Sequence, residues 1–502
     1  MKPPSRARTL FVLGIAAATV LTRLRSFEAT LGDSNVGTYL FVAHQWLAGA
    51  LPYTTAWEYK PPGIFALYAL ALRVTNDGSF VSASVGAIAV AVAALAVARF
   101  VRDGFGESAG TAAVAGFFVV FLSTENDGIL NDAEILVNAF VALAYAAALG
   151  PRRVVASALA GLAGGAALQM KLTALPMLLP LGVFVAAGAG AQAGAAALAV
   201  FAGLALAPFA VEALVYASAR EFAAFADANF AATLRRLASA RSSARLSNLG
   251  QWREELRILA PVLELAPFAA LRPARARFAL GWAWLATAAA AIFAAGEFYD
   301  RHFVLLVPPL AALGAAGLTA LGRAARAPRL VTTLALLTTF ALHSYYETEQ
   351  GAFVVPYHRY VRAEPGFRVG DYTVASEALR AAMGDDRSLY VLQASPMFYA
   401  EMNAPPPTRY VFSGDLLERG MWPMIGFHGP DEVLRVLAGR PHFVVAGNLR
   451  DGKLDAAGAR LVLARLRRDY DLIDDSHRVS IYRLKGLDPK RPPQSRPSRS
   501  KT

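Results

Sequence analysis

Four short stretches hold most of the residues able to do chemistry. GDSNVGTYLFVAHQWLAGALPYTTAWEYKPPG, residues 32–63, carries Asp33, Asn35, Tyr39 and His44. Tyr53, Trp57, Glu58, Tyr59 and Lys60 follow, ahead of Pro61-Pro62-Gly63. ENDGILNDAE adds Glu125, Asp127, Asp132 and Glu134. EFYDRH adds Glu297, Tyr299, Asp300, Arg301 and His302. Ionised carboxylates are the acceptors of proton transfer, and Lys and Arg the groups that stabilise an anion. Each residue also has a plainer reading. Asp33 suits the N-cap of a helix through 35–49, where the dipole favours an acid. Trp57 and Tyr59 suit a membrane interface, and Lys60 can snorkel to headgroups. Asp132 and Glu134 can be solvated loop acids.

The rest of the chain decides where these residues stand. Of its 502 residues 56% are hydrophobic and 17% charged, against roughly 25% charged in soluble domains. Long Ala/Leu/Val/Phe runs separate the charges, and runs of about 18 or more apolar residues are transmembrane candidates. Expected spans are 9–24, 80–99, 108–122, 134–149, 154–170, 172–189, 194–216, 256–271, 278–295, 302–321 and 329–343, eleven in all. The pair around Lys171 is short enough to be re-entrant. The N-terminus, MKPPSRARTLFVLGIAAATVL, has the look of a signal peptide but is read as an uncleaved first span. Cysteine is absent, which removes disulfide, zinc-thiolate and cysteine-nucleophile chemistry. The net charge of +12 comes largely from Arg flanking apolar runs, so it is orientation charge and not a nucleic-acid surface.

Arg and Lys placement puts the N-terminus in the cytoplasm together with RFVRDGFG, PRR at 151–153, RPARAR at 272–277 and GRAARAPR at 322–329. This holds only if PPGIFALYALALRV, 61–74, is an interfacial helix and not a span. Residues 25–79, 123–133, 217–255, 296–301 and all after 343 then lie outside. The polar stretches fall on that one face, and carboxylates with cations gathered on one face suggest a site. The outside loop 217–255 is itself basic, with Arg235, Arg236, Arg241, Arg245 and Arg253. It suits either anionic headgroups or an anionic acceptor.

Past 343 the hydropathy drops. SLYVLQ, RYVFSG, HFVVAGN and RVSIYRL read as strands, and DEVLRVLAG and AGARLVLARLRRDY as helices. The expected organisation is a membrane domain over 1–343, an extracytoplasmic α/β domain over 344–486 and a basic tail, expected to be disordered, over 487–502. No nucleotide-binding glycine fingerprint is present.

The order acid, Tyr, Ala, Leu-x-Gly-x-x-Pro-Tyr, Lys-Pro-Pro is carried by Asp33, Tyr39, Ala43, Leu47, Gly49, Pro52, Tyr53, Lys60, Pro61 and Pro62. It resembles the first loop of GT-C class glycosyltransferases that use polyprenyl-phosphate sugars, the protein mannosyltransferases and lipid A aminoarabinose transferases. DAEILVNAF and FYDRHFVLLVPPLAAL resemble later segments of that class. Two departures stand out: Asp33-Ser34-Asn35 where relatives often have Asp-Glu, and Arg301-His302 where relatives vary.

The resemblance implies a polytopic helical protein of a bacterial inner membrane that moves a sugar from a polyprenyl-phosphate donor to an extracytoplasmic acceptor. The acceptor class spans lipid A or lipopolysaccharide core, a cell-wall glycan and a protein. Asp33 is then the base, with Asp132 and Glu134 in reserve. Lys60 is the first phosphate ligand, then Arg301 and His302, and Asn35, Tyr39, Tyr53 and Glu58 bind substrate. Single displacement inverts the anomeric centre. Asp33, Asp132 and Glu134 could ligate Mg²⁺ or Mn²⁺, but the first loop looks like that of relatives in which no metal is required. Membrane lipids are partners; nucleic acid is not. The alternatives are a multi-span transporter, for which Lys171 is the best residue, and a polymer ligase of the cell envelope.

Overall fold

A backbone that cannot reach water must satisfy its polar groups internally, and in a computed structural model of the chain the apolar runs are helices. The structure describes residues 6–24, 26, 33–124, 130–187, 191–239, 276–295, 298–326, 330, 333–334, 371–412, 414–450, 454–475 and 479–487. Within 250–271 it describes residues 250, 252, 256, 259–260 and 262–271. The chain forms two units. The first is Met1–Thr30, Lys60–Asn229 and Leu237–Phe367; the second is Leu31–Tyr59, Phe230–Arg236 and Arg368–Thr502. The second unit thus draws in two segments that precede the α/β region by far in sequence. The expected boundary at 343 and the tail beyond 487 lie outside the described residues.

In the first unit helices stand at every expected span up to 216 and at 278–295 and 302–321. Residues 266–271 of the span expected at 256–271 form a 3-10 turn, Ala266–Leu271. Most of 329–343 is outside the described residues. Among the described residues five helices are long and apolar enough to cross a membrane: Gly78–Gly104, Arg153–Met170, Ala191–Ser218, Arg277–Ala294 and Asp300–Ala324. Pro62–Leu72 has 11 residues, about 16 Å of helix, too short for a bilayer core of roughly 30 Å.

Small residues let these helices approach. Gly161 and Gly165 of Arg153–Met170 face the Ala191–Ser218 backbone: a Cβ at Gly161 would stand 2.5 Å from the Phe201 carbonyl oxygen, and one at Gly165 3.0 Å from that of Ala205. This is small-xxx-small packing of the kind that associates helices in lipid. An aromatic group knits the neighbouring helices. The Tyr145 ring stacks on Trp284 at 4.1 Å, Phe100 meets both rings edge-on at 5.8 Å, and the Tyr145 hydroxyl donates to the Met177 carbonyl at 2.8 Å.

Charged groups mark two opposite ends of these helices. At one end Arg323 pairs with Glu107 at 3.3 Å and Arg277 donates to the Asp103 carbonyl at 2.8 Å. Asp132, Lys171 and Arg301 lie at the other end of the helices that carry them or pack beside them.

The second unit holds a four-stranded sheet in the order β1-β2-β4-β3. Its strands are β1 (Leu389–Leu392), β2 (Phe443–Ala446), β3 (Tyr470–Asp474) and β4 (Ser480–Leu484). β1 and β2 are parallel, with Leu389 opposite Phe443, and the other two pairings are antiparallel. The expected strands at 388–393, 442–448 and 478–484 are present, as are helices Gly429–Ala438 and Ala456–Asp469. Residues 409–412 of the expected strand RYVFSG are not a strand. The Thr408 hydroxyl accepts from Tyr410 N–H and the Arg409 carbonyl from Val411 N–H, and such local bonds compete with a ladder. The missing strand is β3, hidden in sequence because only Tyr470 of it closes the expected helix, and its exposed, acid-bearing residues suit a sheet edge.

The close approach at Gly161 gives a first prediction. Gly161→Val should lower the thermal stability of the solubilised protein by an amount corresponding to about 1–3 kcal/mol, the usual cost of overpacking. Thermal unfolding in detergent checks it, and an unchanged midpoint would contradict the packing.

Candidate active site

The polar cluster of the first unit is built on helix ends. Asp132 caps Ala133–Ala148, its Oδ1 accepting from Ala133 N–H at 3.1 Å. Its Oδ2 lies 3.1 Å from Nε of Arg301. The turn before it is held in place by Asn131, at φ 60°, a left-handed conformation that Asn tolerates better than most residues. The Asn131 side-chain oxygen accepts from Arg23, and Arg23 also donates to the Ser123 carbonyl at 3.2 Å. Arg23 is wholly buried.

Glu134 is the second residue of the same helix and is 1% exposed. Its Oε1 lies 2.5 Å from Lys171 Nζ and 3.7 Å from His302 Nε2. Its Oε2 is buried with no hydrogen-bond partner among the described residues, so its acceptor capacity is unspent. Lys171 stands where Arg153–Met170 ends: its backbone is extended, at φ −164° and ψ 136°, before a 3-10 turn leads into Leu175–Ala187. The helix breaks at the residue that delivers the ammonium. The Asn138 amide donates to the Val304 carbonyl at 2.7 Å and so fastens the Glu134 helix to the turn after His302. Arg301 lies over the Tyr299 ring, 4.6 Å from its centroid.

Lys60 is 3% exposed and precedes Pro62–Leu72. That helix is docked through its first N–H groups: Gly63 N–H donates to the Gln169 side-chain oxygen at 2.8 Å, and the Gln169 amide donates to Glu212 at 2.9 Å. The first unit therefore carries Lys60, Lys171, Arg301 and His302 together with Asp132, Glu134, Glu212 and Asp300. Lys and Arg side chains partly desolvated at helix ends are groups that can bind an anion.

The other expected residues belong to the second unit. Asp33 is the N-cap of Ser34–Leu47, its Oδ1 accepting from Val36 N–H at 2.8 Å, and it is half-exposed. Asn35, Tyr39 and Tyr53 are buried. Glu58 is 1% exposed, with its Oε1 accepting from Tyr59 N–H. Tyr53 has φ 72°. The capping role read for Asp33 from sequence is thus realised, whereas Asp132 and Glu134 are buried and not the solvated loop acids of the plainer reading. Among the described residues no group of three or more His, Asp or Glu is placed to hold a metal ion, and Asp132 and Glu134 are each engaged by a cation.

Sequence reasoning passed over Lys171 as a site residue, and Gln169, Glu212, Arg23 and Asn131 altogether. The available signal was a charged or amide side chain at the end of an apolar run, which lipid tolerates only with a partner. Arg235, read as facing either anionic headgroups or an anionic acceptor, donates from Nε to the carbonyls of Pro423 and Met424 at 3.2 and 3.1 Å, and Arg236 lies over Tyr59. Glu125, Asp127, Arg241, Arg245, Arg253 and Glu297 lie outside the described residues.

The buried pair gives a second prediction. Lys171→Met or Glu134→Gln alone strands a buried charge or polar group and should destabilise by about 3–5 kcal/mol, while the double variant regains most of that. Thermal unfolding of the three variants checks it; additive losses would contradict the pairing.

Two solved structures share this fold. ArnT from Cupriavidus metallidurans bound to undecaprenyl phosphate matches with a TM-score of 0.61 at 15% identity, over 95% of this chain and 98% of that one. The apo state of the same protein matches with a TM-score of 0.58 at 14% identity over the same shares. The chain thus resembles the GT-C class in fold as well as in its first-loop motif. No protein-family model and no curated protein sequence matches it.

Proposed function

We propose that the chain is an integral-membrane glycosyltransferase of the inner membrane that moves a sugar from a polyprenyl phosphate to an acceptor hydroxyl on the extracytoplasmic side. The observation that carries this is the largely buried cluster of the Glu134–Lys171 and Asp132–Arg301 ion pairs at the helix ends of the first unit, on a fold shared with a protein crystallised with undecaprenyl phosphate. With the Arg277–Arg323 end in the cytoplasm, as the positive-inside rule requires, that cluster faces outward. The N-terminus is then cytoplasmic and the α/β region extracytoplasmic.

In the proposed reaction the acceptor oxygen attacks the anomeric carbon, the bond from that carbon to the phosphate oxygen breaks, and the hydroxyl proton passes to a carboxylate. Single displacement inverts the centre. Asp33 is the proposed base: it is half-exposed, whereas Asp132 and Glu134 are buried and held by Arg301 and Lys171. Lys60, Arg301 and His302 are the proposed ligands of the departing phosphate, joined by Lys171. Preorganised cations stabilise the growing charge without reorganisation. Asn35, Tyr39, Tyr53 and Glu58 shape the binding surface. No divalent cation is required in this reading.

The proposed acceptor is an envelope glycan or glycolipid, such as lipid A or lipopolysaccharide core, with secreted protein as the other class. Arg235 and Arg236 are occupied inside the second unit, so a preference for an anionic acceptor does not rest on them.

The test is transfer from labelled polyprenyl-phosphate sugars in membranes, at matched expression. Asp33→Asn should lower kcat by at least about 10²-fold, the low end of what a general base supplies. Lys60→Ala and Arg301→Ala should raise the donor KM as well. Equal transfer by Asp33→Asn would remove it as base, and no transfer by the wild type from any polyprenyl-linked sugar would overturn the assignment.

A further inference from the structure

The helix expected through 35–49, in the outside segment 25–79, is present as Ser34–Leu47, and its residues Asn35 to Ala43 are all buried. What buries part of that face lies more than 350 positions away in sequence. A Cβ at Gly37 would stand 2.1 Å from Ser395 Oγ, 3.3 Å from Ser395 Cβ and 3.4 Å from Pro396 Cδ. A Cβ there would have to displace the Ser395 hydroxyl, so the glycine lets the helix meet the segment that leaves β1 at close range. One turn on, the Phe41 ring packs against Tyr399 at 5.8 Å, and the Tyr399 hydroxyl accepts from Val391 N–H in β1 at 2.9 Å.

The far end of the same loop is fixed as well. Trp57 N–H donates to the Arg409 carbonyl at 2.7 Å, and its 2%-exposed ring packs on Tyr410 at 5.7 Å. Ser395 follows the carboxyl end of β1, where β1 runs parallel to β2. In open α/β sheets that end is where ligands bind. Here the chain's own first loop occupies it.

We propose that the α/β region positions Asp33 for catalysis, with Gly37 and Ser395 as positioning residues that seat the Ser34–Leu47 helix on the end of β1. The role rests on Asp33 being the base. Gly37 lies one turn beyond Asp33, whose carbonyl accepts the Gly37 N–H at 2.9 Å. A shift at Gly37 is therefore passed to the carboxylate through a single helical turn. The loop acts from this seat throughout turnover.

The chain has no cysteine, which makes the seat directly testable. Disulfides need Cβ atoms about 3.5–4.5 Å apart, and 3.3 Å at Gly37–Ser395 is within a few tenths of that. Gly37→Cys/Ser395→Cys should cross-link on mild oxidation of the full-length protein in membranes. Its oxidised form should transfer sugar about as fast as its reduced form. Gly37→Ala should lower kcat about 10²-fold, as a misplaced catalytic group does, with a smaller change in donor KM. Gly37→Ala/Ser395→Ala, which removes the clashing Oγ, should regain much of that loss. A missing cross-link, activity that returns only on reduction, or a double variant no better than Gly37→Ala would each overturn the proposal. Cross-linking without transfer from the wild type would leave the seat standing and remove the catalytic role together with the assigned function.

Discussion

The buried pair of Glu134 and Lys171 is the constraint on which the first unit depends. Two charges removed from water cost several kcal/mol each unless the geometry returns it, and an unpaired ammonium at the end of an apolar helix is costlier still in lipid. The fold meets this by ending Arg153–Met170 at Lys171 and starting Ala133–Ala148 just before Glu134, so that a helix C-terminus and a helix N-terminus meet across 2.5 Å. His302 and Arg301 open a third helix beside them. Asn138 and Tyr145 then fasten the Glu134 helix to the segments after His302 and after Lys171. The cluster thus sets where helices begin and end.

The second unit solves a different problem. A polar loop that carries the proposed base needs rigidity that short turns at an interface do not supply. Here the loop between residues 31 and 59 is packed into a sheet domain assembled from the other end of the chain, through a glycine contact, two ring contacts and one backbone hydrogen bond. Arg235 adds a clasp to the Pro423 and Met424 carbonyls. Residues that read as three separate features in sequence, a loop, a basic segment and an α/β tail, are one folded unit.

Much of this was legible. Apolar runs announce helices because lipid and core alike demand internal hydrogen bonding, and the cap at Asp33 follows from an acid placed before a run. Alternation and β-branched residues located β1, β2 and β4. What escaped has a common physical cause. The partners of Lys171, Gln169, Arg23 and Gly37 are 37, 43, 108 and 358 residues away, and no local period records such pairings. RYVFSG and β3 were misjudged because local Thr408 bonding and sheet-edge exposure overrode the composition. Gly37 looked like any helix glycine until the chain that packs on it was in place.

The central claim is that the cation cluster recognises the phosphate of a polyprenyl lipid. The most direct measurement is the affinity of the purified, full-length protein for undecaprenyl phosphate beside undecaprenol, followed by tryptophan fluorescence or thermal shift in the same detergent. The tails are identical, so the difference reports the phosphate. The account predicts at least about tenfold tighter binding of the phosphate, the return from one charge-assisted hydrogen bond, with the preference diminished in Lys60→Ala and Arg301→Ala. Equal affinity for the two lipids would contradict it.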